Sequence, residues 1–317
     1  MAQPPNARPD RTALGIGLIL ISVFTMAFAD AVVKLVSTEL TIWQLFVTRS
    51  LVAIAILAVV MAARGVGLRP RAPAWTLLRS ALLVLAWLAV YASLPVLSLS
   101  VAAVAVYTNP IMIALLSAVL IGEAVTGRRW VGVLLGFLGV FAILRPGSDA
   151  FSWFTLLPLL GAAFYASAVI LTRSKCQDEA PLALGLALHG SFLMAGLIGT
   201  ALLSIAGLSA DTQAIYPFLL GDWAPMAGAE WGLMALLGAL SAGYFVGVAR
   251  AYQIAAPSVI ATFDYAYLVA AALWSFVLFS EIPSVLTVGG MVVIAVAGIL
   301  VAVPSSRTAT ADRATSE

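Results

Sequence analysis

The chain has 317 residues, of which 63% are hydrophobic and only 9% are charged, and its mean hydropathy is +1.09. A soluble protein carries about 25% charged residues, so this composition excludes a globule that faces water on all sides and predicts a protein embedded in lipid. The net charge of +2 gives no basis for nucleic acid binding, and the single cysteine, Cys176, excludes an intrachain disulfide.

Ten apolar segments are candidates for membrane-spanning helices, for which about 20 apolar residues are needed. They predict an all-α fold between two polar tails, residues 1–13 and 304–317. One long connection, residues 207–230, is expected to lie on the membrane surface. The predicted spans are Leu14–Val36, Ile42–Ala62, Trp75–Leu94, Leu99–Ile121, Trp130–Leu144, Trp153–Thr172, Leu182–Ile205, Glu230–Ala249, Ser258–Phe279 and Leu286–Val303.

The lysines and arginines between the spans predict the orientation of the chain. With the N terminus inside, thirteen of them, Arg79 and Arg250 included, fall in inner segments, and only Arg145 falls in an outer one. Positive residues are enriched on the cytoplasmic side of membrane proteins. Both termini are therefore expected to be cytoplasmic.

The sequence also contains an internal repeat. A shift of 158 residues superposes Tyr107 on Tyr265 and Glu123 on Glu281, within two long apolar stretches. Each half has five spans, an odd number, so the two halves are expected to insert in opposite directions. Inverted repeats of this kind build secondary transporters, with the substrate site between the repeats near mid-membrane.

The repeated stretches carry a resemblance to a known family. The segments NPIMIALLSAVLIGEAVTGRRWVGVLLGFLGV and YAYLVAAALWSFVLFSEIPSVLTVGGMVVIAVAGIL are similar to the EamA-domain branch of the drug/metabolite transporter superfamily. The resemblance implies two EamA repeats, residues 14–145 and 153–303, in a bacterial inner membrane. It also implies a central cavity lined by spans 1, 3, 4, 6, 8 and 9, and an amino acid, a vitamin or a nucleoside-like metabolite as cargo.

Ionisable residues inside the spans are candidates for function because they are costly to place in lipid. Asp30 and Lys34 are four residues apart on span 1, where they either neutralise each other or line the cavity. Asp264 lies about a third of the way into span 9 and has no basic residue nearby in sequence, so its carboxyl group is expected to face water, a cationic substrate or a proton. A hydrogen bond to a neighbouring tyrosine is the structural alternative.

Four further charged or titratable residues are interpreted as structural or as gate elements. Arg49 in span 2 and His189 in span 7 are counterparts in the two halves, and the resemblance places both spans at the periphery of the cavity, one residue toward each face. Glu123 and Glu281 stand at span ends, where they favour capping, ion pairing or gating.

Aromatic and amide side chains supply the remaining candidate binding groups. Tyrosine and tryptophan also form belts at membrane interfaces, but aromatic walls with a few polar groups are typical of small-molecule sites. The Asn109-Pro110 pair is expected to bend span 4, because proline removes a backbone donor. The set is Trp87, Tyr91, Tyr107, Asn109, Tyr165, Tyr244, Tyr252, Tyr265 and Tyr267, together with the acidic Asp30 and Asp264.

These features predict a secondary transporter of a small organic metabolite rather than an enzyme. The protein is expected to work by alternating access, as a monomer or homodimer, without a cofactor or metal and with a proton as the candidate coupling ion. No nucleotide-binding loop of the G-x-x-x-x-G-K type occurs. An intramembrane enzyme and an uncoupled pore are the alternatives. Both are less favoured, because the chain has one histidine and one cysteine and because inverted repeats are typical of carriers.

Overall fold

The computed structural model describes residues 11–121, 127, 131, 134–135, 138–139, 152–255 and 257–302, and these residues fold into helices without strands. Seven helical segments among them are long and apolar enough to cross a membrane, and shorter apolar helices cover Val101–Ile113 and Val285–Ala297. The predicted fifth span, Trp130–Leu144, lies mostly outside the described residues, and Glu123 lies wholly outside them.

The helices of the first half begin and end close to the predicted bounds. Side-chain caps fix some of their starts: the Thr41 hydroxyl accepts a hydrogen bond from the amide of Gln44, and Ser98 does the same for Val101. In chain order these helices are α1 (Thr12–Val36), α2 (Ile42–Ala63), α3 (Pro73–Ser93), α4 (Leu99–Val106) and α5 (Asn109–Ile121).

The second half follows the same plan with one long connection. A single 3-10 turn, Trp153–Thr155, leads into its first helix, and the left-handed Gly207 (φ 54°) ends the next. The helices are α6 (Leu156–Ser174), α7 (Pro181–Ala206), α8 (Ala210–Ile215), α9 (Pro217–Leu220), α10 (Gly228–Ile254), α11 (Pro257–Asp264), α12 (Ala266–Phe279) and α13 (Val285–Ala302).

Two predicted spans are interrupted. The span predicted over Leu99–Ile121 is two helices with Tyr107 and Thr108 between them, next to the expected bend at Asn109-Pro110. The span predicted over Ser258–Phe279 is also two helices, separated at Tyr265. In the second repeat, Leu268 stands where the first repeat has Pro110. The interruption at Tyr265 therefore forms without a proline at that position. Both interruptions occur at the tyrosines that the repeat superposes.

The 207–230 connection, which the sequence predicts to lie on the membrane surface, is anchored to the helices. The indole of Trp43 in α2 donates to the carbonyl of Leu219 (2.8 Å), and the Gln44 amide group exchanges two hydrogen bonds with the backbone of Ala224. Phe218 is buried beneath the segment. The connection is therefore a packed cover on the end of the bundle where α2 begins.

Helices of the two halves pack mainly against each other. α1 lies against α10, α11 and α12; α3 and the α4–α5 pair lie against α6; and α2 lies against α7 and α10. Glycines allow the closest approaches: a Cβ on Gly161 would lie 2.9 Å from the carbonyl oxygen of Ala86, and a Cβ on Gly238 would lie 2.6 Å from the Cβ of Val52. Small residues are the usual means by which membrane helices pack closely.

We expect Gly238→Ala to lower the stability of the protein by about 1–3 kcal/mol, because the added methyl group would overlap Val52 and the carbonyl of Arg49. Gly243→Ala on the same helix is the matched control, since no atom lies within 4 Å of its Cβ position. That control should be neutral or slightly stabilising, because alanine favours a helix over glycine. Thermal unfolding in detergent measures both, and equal melting temperatures would contradict the packing at Gly238.

Candidate functional site

Asp30 of α1 is buried at the centre of the bundle and is held by two tyrosine hydroxyl groups. It is 1% exposed. Tyr91 at the end of α3 donates to Oδ1 (3.0 Å), and Tyr267 of α12 donates to Oδ2 (2.6 Å). The predicted alternative of an Asp30–Lys34 pair is not formed. Three helices from both halves of the chain therefore meet at this carboxyl group.

Asp264, the last residue of α11, has a similar environment. It is 0% exposed. Tyr107, at the interruption between α4 and α5, donates to Oδ1 (3.3 Å), and Tyr252 of α10 donates to Oδ2 (3.3 Å). Neither partner is adjacent in sequence, so the predicted alternative of a bond to a neighbouring tyrosine is replaced by bonds across helices.

The two acidic residues are linked by a pair of stacked aromatic rings. Tyr107, which binds Asp264, stacks on Tyr267, which binds Asp30, with centroids 4.8 Å apart and planes 18° apart. The ring of Tyr265 lies 6.1 Å from that of Tyr107. The two carboxyl groups are thereby joined by a continuous chain of two hydrogen bonds and one ring stack.

A narrow cleft lies beside the stacked rings, with a cavity volume of ≈ 20 Å³. Trp87 Nε1 and Asn109 Oδ1 are buried there, and the described residues offer them no hydrogen-bond partner. Polar groups of this kind can orient a small molecule. The predicted binding residues that line the cleft are Trp87, Tyr107, Asn109, Tyr165 and Tyr267.

Arg49 of α2 is buried in the core of the bundle, and none of the described residues that line the cleft belongs to α2. Its side chain is 0% exposed, Nη1 donates to the hydroxyl of Tyr91 (3.0 Å), and the guanidinium lies 4.7 Å from the ring centroid of Phe192. Tyr91 thus joins a buried cation to Asp30. His189 packs 6.1 Å from the same Phe192 ring, so Arg49 and His189 are neighbours and not at opposite faces.

Lys34 forms an ion pair with Glu281, 247 residues away along the chain. Lys34 Nζ lies 2.7 Å from Glu281 Oε1 and 3.2 Å from the carbonyl oxygen of Leu97. Ser275 donates to the other oxygen of Glu281 at 2.7 Å. This pair joins the C-terminal end of α1 to the segment after α12 and to the connection before α4, at the side of the bundle opposite to Arg79.

The other end of the bundle has a different closure. Glu179, between α6 and α7, is 5% exposed and accepts hydrogen bonds from the backbone amides of Arg71 and Ala72 (3.0 and 2.6 Å), which precede α3. The amide nitrogen of Gln253 in α10 donates to the carbonyl oxygens of Cys176 and Glu179. These bonds tie together the connection before α3, the connection between α6 and α7, and the end of α10.

The remaining predicted residues belong to the same cluster, and one important residue was missed. Tyr244 is buried close to Tyr91 and Arg49. Arg79, which the sequence assigns to an inner segment, is instead 3% exposed within α3. Its position six residues after Pro73, inside an apolar helix, was the signal that could have identified it. Among the described residues, no group of three histidine, cysteine or acidic side chains could hold a metal ion.

Fold and site together define a multi-pass helical membrane protein that encloses polar groups between its helices. Residues 13–145 match the model of the EamA-like transporter family. The chain is 26% identical over 285 residues to the pseudopaline exporter of Pseudomonas aeruginosa (89% of this chain, 94% of the relative). It is 31% identical over 207 residues to the riboflavin transporter of Rhizobium johnstonii (53% and 67%), and 24% identical over 281 residues to the S-adenosylmethionine uptake transporter of Rickettsia prowazekii (88% and 89%).

The chain belongs to the EamA-like transporter family and is a membrane transporter. A solved crystal structure with 18% sequence identity has the same fold, with a TM-score of 0.62 over 91% of this chain and 95% of that one. The names of the relatives point to transport and not to catalysis, and each of these relatives is named for a small metabolite.

We expect Tyr267→Phe to destabilise the protein by about 1–3 kcal/mol, because it removes a hydrogen bond to a buried carboxyl group. Tyr265→Phe, two residues away, should change the free energy of unfolding by only a few tenths, since its hydroxyl has no partner among the described residues. Thermal unfolding in detergent measures the difference. Equal effects of the two substitutions would argue against the Asp30–Tyr267 bond.

Proposed function

We propose that the protein is a secondary transporter of a small organic metabolite that works by alternating access. Its two halves act as inverted repeats of five spans each, residues 14–145 and 153–303, with both termini in the cytoplasm of a bacterium and the spans in its inner membrane. The carrier moves its cargo through the cleft between the halves, and a proton is the proposed coupling ion.

The pattern of helix packing supports the inverted repeats. Exchanging the halves pairs α1 with α6, α2 with α7, α3 with α10 and the α4–α5 pair with the α11–α12 pair. This exchange predicts that the contact between α1 and α10 has a counterpart between α6 and α3. It also predicts that the contacts of α1 with α11 and α12 have counterparts between α6 and the α4–α5 pair. All of these contacts are present. The α2–α7 contact maps onto itself. A two-fold pseudosymmetry accounts for this correspondence with a single operation.

The observation that carries the proposal is the burial of Asp264 and Asp30 among apolar helices. Each is bonded to a tyrosine that lines the cleft, Tyr107 and Tyr267 respectively. A carboxylate inside a membrane protein is expensive unless it is paired, neutralised or functional. Each of the two residues is surrounded by tyrosine hydroxyl groups from both halves. Because each carboxyl group is bonded to a tyrosine from each half, a movement of one half relative to the other would change its hydrogen bonds.

The two acidic residues have different roles in this proposal. Asp30 has a buried cation nearby, because Arg49 reaches it through the hydroxyl of Tyr91. Among the described residues, Asp264 has hydrogen bonds only from the neutral phenols of Tyr107 and Tyr252. We therefore assign Asp30 to a charge-compensated structural unit within the site, and Asp264 to the exchange of a proton or a cationic group of the cargo.

The closures at the two ends of the bundle are the proposed gates. The Lys34–Glu281 pair closes the outer end, and the Glu179 and Gln253 hydrogen bonds close the cytoplasmic end. The present conformation has both closures formed and corresponds to an occluded carrier. Opening either end requires a small number of polar bonds to break, so the two gates can alternate at low cost.

We expect Asp264→Asn to abolish or uncouple transport while membrane insertion remains normal, because an amide cannot release a proton. The assay uses proteoliposomes with an imposed pH gradient, a deproteinised metabolite extract of bacterial cells outside, and mass spectrometry of the retained solutes. Asp211→Asn, which removes an exposed carboxylate in α8, is the control and should transport normally. Full gradient-driven accumulation by Asp264→Asn would contradict the assignment.

We expect Lys34→Met and Glu281→Gln each to open the outer gate more often. A cysteine at Met26, which lines the cleft, reports this as faster labelling by a membrane-impermeant maleimide added outside. The native cysteine, Cys176, is replaced by serine in these variants so that only the introduced cysteine can react. Burial raises the pKa of the Cys176 thiol, so the replaced residue would itself have reacted slowly with the maleimide. The charge-swapped double variant Lys34→Glu/Glu281→Lys should label slowly again, and equal labelling rates in all variants would exclude a gate here.

A further inference from the structure

A second chamber adjoins the central cleft and shares Tyr165 with it. It lies between α3, α6 and α10, nearer the end of the bundle where α3 begins. Most of its wall is apolar, and its polar groups are a guanidinium, a threonine hydroxyl and two phenols. The residues relevant here are Arg79, Leu83, Tyr165, Thr172, Phe245 and Tyr252.

Arg79 is a buried cation whose donors are only partly used. Its Nε donates to the hydroxyl of Thr172 (2.6 Å), while Nη1 is buried and has no partner among the described residues. The Thr172 hydroxyl in turn donates to the carbonyl of Ala168, so it is a neutral partner whose single proton is already used. Within the described part of the chain no carboxylate forms an ion pair with Arg79. A buried guanidinium without a counter-anion is costly.

The chamber is also close to the acidic centre. Tyr252, on its wall, is one of the two phenols that donate to Asp264. Two tyrosines, Tyr165 and Tyr252, thus separate a buried cation with a free donor from a buried carboxyl group. A molecule that displaces these phenols would meet opposite charges at its two ends.

We propose that Arg79 is a binding site for a carboxylate of the transported metabolite, whose cationic end reaches Asp264. This inference rests on the proposed transport function and adds a charge requirement for the cargo: it is an organic zwitterion. Guanidinium groups recognise carboxylates with paired, charge-assisted hydrogen bonds. The chamber is narrow in the occluded conformation, and separation of α3 from α6 and α10 as the cytoplasmic gate opens would admit the carboxylate.

The first experiment identifies the solutes that the carrier retains. Proteoliposomes with the wild-type protein and protein-free liposomes are exposed to the deproteinised bacterial metabolite extract, and retained solutes are compared by mass spectrometry. We expect the enriched solutes to carry both a carboxylate and a basic nitrogen. Enrichment of only neutral or cationic solutes would overturn the Arg79 site while transport stands. Enrichment of nothing would contradict the proposed function itself, and the Arg79 site with it.

The second experiment tests Arg79 with those solutes. Arg79→Gln should reduce the uptake rate at low solute concentration about tenfold or more, as expected for loss of one hydrogen bond to a charged group, and Arg79→Lys should retain part of it. The methyl ester of an enriched solute lacks the carboxylate that Arg79 would bind, so the wild-type protein should take it up poorly. For the same reason Arg79→Gln should take up the ester as well as the wild-type protein does. Unchanged uptake in Arg79→Gln would overturn the proposal.

A structural role of Arg79 as a clamp between α3 and α6 makes a different prediction. Thr172→Val removes the inter-helix hydrogen bond but keeps the guanidinium. We expect this variant to lose thermal stability and, because the guanidinium is kept, to lose much less uptake of the carboxylate-bearing solute than Arg79→Gln does at equal folded protein. Equal losses of uptake in Thr172→Val and Arg79→Gln, at equal folded protein, would show that Arg79 acts only as a clamp.

Discussion

The structure depends on the satisfaction of two carboxyl groups buried among apolar helices. Helices that are apolar on every side can slide and rotate against one another in lipid with little loss, because lipid chains solvate them as well as other helices do. Asp30 and Asp264 remove that freedom, since each accepts hydrogen bonds only when three particular segments are in register. Polar bonds thus specify the arrangement that apolar packing alone would leave open.

The interrupted helices make this arrangement possible. A continuous helix carries its side chains past a buried centre at fixed angles, whereas here the helices are interrupted at Tyr107, which donates to Asp264, and at Tyr265, which follows Asp264. Tyr107 can therefore stack on Tyr267 and still donate to Asp264. Non-helical backbone is tolerated at membrane depth where it is buried in protein or lines a cavity, and these breaks meet that condition.

Much of the architecture was predictable from local sequence. Hydropathy is a local property, so the bounds of the described helices agree with the predicted spans to within a few residues, the fifth span lying mostly outside the described residues. The candidate binding residues chosen for their depth in the spans lie in one cluster. Partners were not predictable in the same way. Lys34 pairs with Glu281 across 247 residues, and the choice of Asp30 as its partner rested on spacing within one helix.

The burial of Arg49 and Arg79 was not predicted from the sequence, and the reason is the same for both. α2 is apolar around its whole circumference, and α3 is nearly so, so no polar stripe indicates which face is turned inward. Arg49 is therefore interpreted from the sequence as structural, by the place that the resemblance gives span 2, and Arg79 is counted with the inner segments. In both cases the long side chain reaches into the core, where aromatic rings or a threonine receive it.

The distribution of close contacts separates rigid from movable parts. Glycines on α7 and α10 let these helices approach α2 so closely that a single methyl group would overlap Val47 at Gly196 or Val52 at Gly238. In contrast, the end of α1 that carries Lys34 is joined to the segment after α12 by one ion pair and to the connection before α4 by one hydrogen bond to a backbone carbonyl. Dense contacts resist sliding, whereas a few polar bonds can exchange with water. In the proposed cycle α2, α7 and α10 therefore form the pivot, and the helix ends that carry Lys34, Glu179 and Glu281 move around it.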